Sequence, residues 1–144
     1  MKNLRQDAKT PRRQEEPRKE LDELAYSVIG AAINVHRTLG PGFPESVYEE
    51  ALSIELTEQK IRFERQCKVN VFYHERLVGQ GLMDFFIEQQ LVVELKAVEQ
   101  LHPKHHAQTK AYLSATRCQL GLLINFHEAV LKDGLHRIVN TPKG

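Results

Sequence analysis

A charged pair inside an apolar segment is the feature of this sequence best suited to chemistry. The segment VVELKAV, residues 92–98, has the composition of a buried strand, yet it contains Glu94 and Lys96. Residues two apart on a strand project from the same face, so these two charges emerge together. A further carboxylate, Asp84, lies in the preceding period-two segment. The sequence therefore predicts a polar cluster of three side chains on a pair of apolar strands.

The loop between the two strands decides whether the carboxylates meet. In an antiparallel hairpin with an odd number of loop residues, such as Glu88-Gln89-Gln90, Asp84 stands opposite Glu94. Two neighbouring carboxylates repel, and at least one pKa rises unless a cation lies between them. Mg²⁺ prefers oxygen ligands and uses one or two protein carboxylates together with waters and phosphates. Lys96 would then position or deprotonate a water, or neutralise charge on a phosphoryl group, as in metal-assisted phosphodiester hydrolysis.

The tripeptide alone does not establish this chemistry. The chain also contains Glu58-Gln59-Lys60, which has the same pattern and is expected to be a solvated helix end. A half-buried Glu94–Lys96 ion pair that only specifies the sheet register is an equally simple interpretation of the segment. Three histidines near residue 105 are expected to be solvated or phosphate-facing rather than metal ligands; they are His102, His105 and His106.

Hydrophobic periodicity predicts the elements that hold these residues. Helical spacing runs from Leu21 to Leu39 and again from Pro44 to about Lys60. The remaining predicted elements are strands near 69–73, 78–87 and 91–98, a helix over 103–115, and a buried strand in CQLGLLINF, with AVLK and LHRIV available to pair at its end. A meander followed by a crossover helix into a last strand predicts an α/β fold with a mixed central sheet flanked by helices.

Length and charge limit the organisation of the chain. The 144 residues suffice for one domain, which we assign to residues 21–144, preceded by a flexible charged tail at 1–20. The tail carries seven Lys/Arg and four Asp/Glu, whereas the rest carries 13 and 15. A domain with that balance does not bind nucleic acid by charge alone and needs a local patch or a bound cation.

Two further features concern the cellular setting. No apolar run has the length of a membrane span, and the N-terminus lacks the apolar segment of a signal peptide. Cys67 and Cys118 are far apart, without the spacing of a zinc site or a disulfide framework. We therefore expect a reduced, cytoplasmic protein.

The motifs resemble a known nuclease superfamily. Asp84 followed by Glu94-Leu95-Lys96 is similar to the D…E-x-K signature of the PD-(D/E)xK nucleases, whose restriction-endonuclease-like αβββαβ core matches the predicted order of elements. More narrowly, GPGFPESVYEEAL at 40–52 resembles the motif of the bacterial GxxExxY protein family, with Gly42, Glu45 and Tyr48 at the required spacing. VVELKAVEQL, HHAQTKAYL and GLLINF resemble later blocks of that family, so the likeness covers roughly residues 21–140.

The resemblance implies a metal site. It assigns Asp84 and Glu94 as ligands of Mg²⁺ or Mn²⁺, with the backbone carbonyl of Leu95 as a further ligand. Glu45 corresponds to a glutamate that the superfamily often carries on its first core helix, near enough to bind the metal through water.

The resemblance also implies catalytic residues. Lys96 corresponds to the catalytic lysine. Gln108 and Tyr112 match a Q-x-x-x-Y element of some branches, and their spacing of four places both on one helical face.

We therefore predict a Mg²⁺-dependent nuclease that hydrolyses the phosphodiester bonds of DNA or RNA. The alternative is a catalytically silent nuclease fold that binds nucleic acid or serves as an accessory interaction module. The oligomeric state is open, with a homodimer as one alternative.

Overall fold

The computed structural model describes residues 17–141, which form three helices and one five-stranded sheet. The elements follow in the order α1 (Lys19–Leu39), α2 (Glu45–Glu58), β1 (Phe63–Tyr73), β2 (Arg76–Ile87), β3 (Leu91–Lys96), α3 (Pro103–Thr116), β4 (Leu120–Asn125) and β5 (Leu135–Val139). A short 3₁₀ turn, Leu131–Gly134, precedes β5. The α/β fold with a mixed sheet and flanking helices is the predicted one.

The sheet combines antiparallel and parallel pairing. Its strands lie in the order β1-β2-β3-β4-β5. The first three form an antiparallel meander, β3 and β4 run parallel, and β5 returns antiparallel to β4. Since a parallel pair needs a long crossover, α3 makes that connection between β3 and β4.

The two faces of the sheet carry separate apolar cores. On one face, the buried stripe of α1 and residues of α2 pack against alternate side chains of β2, β3 and β4, including Phe85, Val93 and Leu95. On the other face, Leu113 of α3 packs with Val92 and neighbouring residues. Helices thus flank the sheet as predicted, with α1 against one of its faces. Each large side chain that is fully buried in this way contributes about 1.5–3 kcal/mol.

The loop between β2 and β3 has the predicted three residues. Ile87 pairs with Leu91, so Glu88, Gln89 and Gln90 form the connection, closed by a hydrogen bond from Gln90 N to Ile87 O at 2.9 Å. Glu88 and Gln89 both adopt positive φ, at 52° and 58°. The next pairs are Phe86 with Val92 and Phe85 with Val93, which is the register required to bring Asp84 beside Glu94.

Three details differ from the sequence prediction. AVLK does not form a strand, because Leu131 and Lys132 lie in the 3₁₀ turn, whereas LHRIV forms β5 as predicted. The first strand begins at Phe63 rather than near Val69. Helix α1 begins at Lys19, inside the predicted tail, and residues 1–16 of that tail lie outside the described part of the chain.

Two sequence expectations about the cellular setting can be compared with the structure. Both cysteines are free, consistent with the expected absence of a disulfide. Among residues 17–141, none of the helices has the length and apolar character needed to cross a membrane.

Candidate metal centre and active site

The predicted carboxylates meet where β2 and β3 separate. Backbone pairing between these strands ends at Phe85 and Val93. One residue further, Asp84 N donates to Glu94 Oε2 at 3.0 Å, and Leu95 N donates to Asp84 Oδ2 at 2.8 Å. Each carboxylate therefore accepts a hydrogen bond from the opposite strand, and the two side chains replace the backbone ladder. We call this place the carboxylate gap, formed by Asp84, Glu94 and Leu95.

Burial makes the gap electrostatically unusual. Glu94 is only 3% exposed. Burial, and secondarily the Asp84 carboxylate, raise the pKa of Glu94 to about 8, although the Asp84 N–H and the charge of Lys96 act in the opposite direction. Burial also raises the pKa of Asp84, while hydrogen bonds from Leu95 and Gln66 counteract that rise. The site thus disfavours two negative charges unless a cation accompanies them.

Lys96 lies near the gap but does not neutralise it directly. It is the last residue of β3 and is partly exposed. Its charge lowers the pKa of both Asp84 and Glu94, which locates it in their neighbourhood. Within residues 17–141, however, neither carboxylate forms a salt bridge with Lys96 or with any other cationic side chain. The buried Glu94–Lys96 ion pair of the structural interpretation is therefore not formed.

Glu45 lies at the rim of the site. It is the first residue of α2, and the residue as a whole is exposed. Desolvation raises the pKa of its carboxyl group, with a further rise from Asp84, whereas Lys96 and the backbone N–H of Ala97 lower it. Glu45 is thus close enough to interact with Lys96 and Asp84, but it is not part of the buried gap.

The turn before α2 explains the spacing of Gly42, Glu45 and Tyr48. Gly42 has φ of 114°, a conformation that favours glycine. The buried Tyr48 hydroxyl donates to Gly40 O at 2.6 Å and accepts from Phe43 N at 3.2 Å. Its ring stacks on Phe126 at 4.5 Å. These contacts fix the turn, and the turn sets the position of Glu45 at the start of the helix.

Of the predicted pair Gln108 and Tyr112, only Tyr112 lies at the site. Tyr112 is partly buried, and Asp84 and Glu94 add to the rise that burial causes in its pKa. Its ring lies over β2 so closely that a β-carbon at Gly81 would be 2.5 Å from Tyr112 Cε1. Gln108 is exposed on α3, and no side-chain hydrogen bond connects it to another described residue.

Gln66 was missed by the sequence analysis. Its amide nitrogen donates to Asp84 Oδ1 at 3.3 Å and to Glu49 Oε1 at 3.0 Å, which joins the gap to α2. The backbone of Gln66 has φ of 49°, a left-handed conformation in the middle of β1. Nothing in a surface glutamine between Arg65 and Cys67 signals this role, so the sequence offered no means of finding it.

Asn125 was also missed. It is 1% exposed at the end of β4, where it pairs with Lys96. Its side chain accepts from Val98 N at 3.0 Å and donates to Val98 O at 2.8 Å. These two bonds hold the chain immediately after Lys96. A buried polar residue at the end of LLIN was the available signal.

Of the three histidines near residue 105, His105 and His106 contact neighbouring residues rather than the carboxylate gap. His105 Nδ1 accepts from His102 N at 3.1 Å and thereby caps α3. His106 packs edge-on against His136 of β5, with ring centroids 5.0 Å apart. Neither pair reaches the carboxylate gap through a hydrogen bond.

The donor atoms of the gap suit a hard divalent cation. Each carboxylate has one oxygen that accepts a backbone N–H of the gap, and no hydrogen bond within residues 17–141 reaches Glu94 Oε1. No residue of β2 pairs with Leu95, whose N–H bonds the Asp84 side chain instead, so its carbonyl has no ladder partner on that strand. In the described residues no three His, Cys, Asp or Glu side chains converge on one point. Two carboxylates and a carbonyl form a set that fits Mg²⁺ or Mn²⁺ and not a closed zinc site.

Comparison with known proteins gives a match at the level of a family. A family model described as the PD-(D/E)XK nuclease superfamily matches residues 22–138, which is most of the chain and reaches from the first turn of α1 to the end of β5. Searches of curated proteins and of solved structures found no significant match.

Proposed function

Since the chain belongs to the PD-(D/E)XK nuclease superfamily, we propose that it is an enzyme that hydrolyses phosphodiester bonds of DNA or RNA with Mg²⁺ or Mn²⁺. The observation that carries this proposal is the carboxylate gap. A buried Glu94 and Asp84 exchange hydrogen bonds with each other's strands, and no cationic side chain of residues 17–141 forms a salt bridge with either.

Asp84, Glu94 and the Leu95 carbonyl are the residues that would hold the metal. When bound, a divalent cation supplies a Lewis acid for the phosphoryl oxygens and lowers the pKa of a coordinated water. Glu45, at the rim, would orient water at the edge of the site. Burial raises its pKa, which makes its carboxylate a stronger base toward that water.

Lys96 is the proposed catalytic residue of the chain itself. Its ammonium group is near the carboxylates but not bound to them, so it remains available to donate to a scissile phosphate or to face the attacking water. Tyr112, beside the same carboxylates, would donate its hydroxyl hydrogen to a phosphate oxygen. Gln108 is exposed on the same helix and would contact the substrate outside the site.

The narrower family and the setting are also part of the proposal. The contacts of Gly42 and Tyr48 give a physical role to two positions of the GxxExxY motif, which supports membership of that bacterial family. The two free cysteines suit a reducing compartment, so we propose a cytoplasmic location.

The test combines a cleavage assay with a metal-binding assay. Purified protein is incubated with single- and double-stranded DNA and RNA, each labelled internally and at one end, in Mg²⁺, Mn²⁺ or chelator. In parallel, the melting temperature is measured with and without metal. The variant is Asp84→Asn combined with Glu94→Gln, and the control is Glu58→Gln, which alters the solvated E-x-K sequence at the end of α2.

We expect metal-dependent cleavage and a metal-dependent rise in melting temperature for the wild type and the control. Both should be lost in the double variant. Metal and nucleic-acid binding without turnover on any substrate would instead identify an accessory module. Equal metal responses in wild type and double variant would remove the proposed metal site.

A further inference from the structure

Among residues 17–141, no helix or further strand covers the outer half of the β1–β2 hairpin. The last covered pair is Val69, which is 3% exposed, and Gly81, over which Tyr112 packs. Beyond it, every residue from 70 to 80 is exposed. We call this segment, residues 70–80, the distal ribbon. It has only two strands, an arrangement that is at best marginally stable in water without a third strand or a helix.

Large apolar side chains make up nearly half of the distal ribbon. Five of its eleven residues are large and hydrophobic: Val71, Phe72, Tyr73, Leu77 and Val78, with exposures from 41% to 66%. Phe72 and Tyr73 together expose on the order of 250 Å². Monomeric proteins rarely leave an apolar patch of several hundred Å² uncovered unless it is used for binding.

The two edges of the sheet differ in how they are protected. β5 is short, at five residues, and carries His136 and Arg137. β1 has eleven residues, and its part within the distal ribbon, Asn70–Tyr73, contains no charge and no proline. Long uncharged edge strands offer a row of unpaired backbone groups to another strand, and proteins normally block them with charges, prolines or short length. The outer part of β1 carries neither a charge nor a proline, although its pairing with β2 shifts register between Val71 and Phe72.

Charge argues for a protein partner rather than nucleic acid. The only charged residues of the distal ribbon are Glu75 and Arg76, which are adjacent and cancel. A surface that binds the phosphate backbone needs an excess of Lys or Arg. An apolar, neutral strand is also complementary to itself, because two copies meet without repulsion between like charges.

We propose that the distal ribbon is a dimerisation surface in which β1 of two copies pairs antiparallel across a two-fold axis. A standard interface hides about 800 Å² on each partner. The five apolar side chains, with exposures from 41% to 66%, and the backbone edge of β1 contribute to that area. Pairing would give the distal ribbon its third strand and continue the sheet from one subunit into the other. This inference is independent of the proposed catalytic activity.

The test uses the two sheet edges as matched sites. Val71 on β1 is 41% exposed and Val139 on β5 is 38% exposed. Val71→Lys and Val139→Lys therefore make the same change at two positions of similar exposure, one on each edge strand. The mass in solution is measured by light scattering and sedimentation over a range of protein concentrations, without nucleic acid. Circular dichroism verifies the fold. Tyr73→Lys provides a second edge variant if Val71→Lys does not fold.

We expect a dimer of about twice the 16.6 kDa chain mass for the wild type and for Val139→Lys. Val71→Lys should raise the dissociation constant roughly tenfold or more. A wild type that stays monomeric, or a dimer that both β1 variants leave intact, would overturn the proposal. Loss of nucleic-acid binding in Val71→Lys without a change in mass would also overturn it and indicate nucleic acid as the occupant.

Discussion

Two pairs of neighbouring carboxylates in this protein are compensated in opposite ways. Glu49 and Glu50, on α2, share Arg65, whose guanidinium nitrogens lie 3.1 Å and 2.9 Å from them. Asp84 and Glu94, in the carboxylate gap, have no such partner within residues 17–141. The second pair is the more buried one. The pair without a cationic side chain is therefore the pair whose ionisation costs more free energy.

The difference indicates what each pair is for. The side chains of Arg65 and Glu50 are 35% and 64% exposed, so water screens their charges and their ion pair stabilises the fold only slightly, whereas Glu49 is more enclosed, at 17%. The gap, in contrast, is costly to ionise and is lined with oxygen atoms. Such a pair gains most from a cation supplied by the solution, which can arrive with a substrate and leave again. The first pair thus joins α2 to β1, and the second pair is the proposed site of a divalent cation.

The largest expected effect comes from Lys96. Because its ammonium forms no ion pair in the described structure, Lys96→Ala should leave the fold and metal-dependent stabilisation largely intact. Loss of a charge-stabilising donor should reduce phosphodiester cleavage by roughly 10²–10³. Cleavage rates and melting curves are measured in parallel.

Lys60→Ala is the matched control, since Lys60 follows Glu58 in the same E-x-K pattern but lies exposed beyond α2. A folded Lys96→Ala protein that cleaves as well as the wild type would end the catalytic assignment. A Lys96→Ala protein that fails to fold would favour a structural role for this residue.

A smaller effect should appear in the pH dependence of stability. The folded state raises the pKa of Glu94 to about 8, so it holds a proton that the unfolded chain releases near 4.5. The resulting stabilisation is fully present below pH 4.5 and is lost as the pH rises through 8. Without metal, the wild type should therefore lose on the order of a few kcal/mol of unfolding free energy over this range.

Glu94→Gln is permanently neutral and should reduce this loss, so that the variant is more stable than the wild type at pH 9 and similar at pH 5. Denaturant titrations across this range measure the difference. Asp84, whose pKa is also raised, should leave a residual slope. If the unfolding free energies of the two proteins changed with pH in parallel, ionisation of Glu94 would not destabilise the fold, which would contradict the effect expected from its burial.

The smallest effect should come from the exposed pair. Arg65→Ala removes both ion pairs on α2, and since Arg65 is 35% exposed we expect a loss of only about 0.2–1 kcal/mol. The loss should shrink further in high salt. Metal-dependent stabilisation of the variant should equal that of the wild type. A reduction in cleavage comparable to that of Lys96→Ala would mean that Arg65 belongs to the active site.

The sequence predicts the structure correctly where the period of two along a strand determines which side chains face each other. The period of two in residues 91–98 and the odd number of loop residues predicted that Asp84 and Glu94 meet, and the register agrees. The period fails in the inner part of β1, where positive φ at Gln66 interrupts the alternation, so both the start of that strand and the role of Gln66 were missed. The sequence also predicts that AVLK can pair at the end of β4, but only Leu131 of its residues is buried and the segment forms no strand.

The contacts of charged side chains were less predictable. A lysine two residues from a glutamate on a strand suggests an ion pair, yet in the structure Lys96 forms none with a described residue. The distance from the Lys96 ammonium to the carboxylates depends on where β3 ends and on which contacts fix the residues that follow it. Here Asn125 binds the backbone of Val98, a long-range contact that no local pattern encodes.

The three-residue loop at Glu88–Gln90 has a consequence for how this protein tolerates insertions and deletions. If loss of one codon there shifted β3 by one residue against β2, Glu94 would turn away from Asp84, because side chains alternate along a strand. Every functional residue would still be present in the gene, and a scan for the D…E-x-K letters would still succeed. The register between β2 and β3 is therefore as important to the proposed metal site as the identities of its ligands, and it is the first feature to check when a related sequence is judged active or inactive.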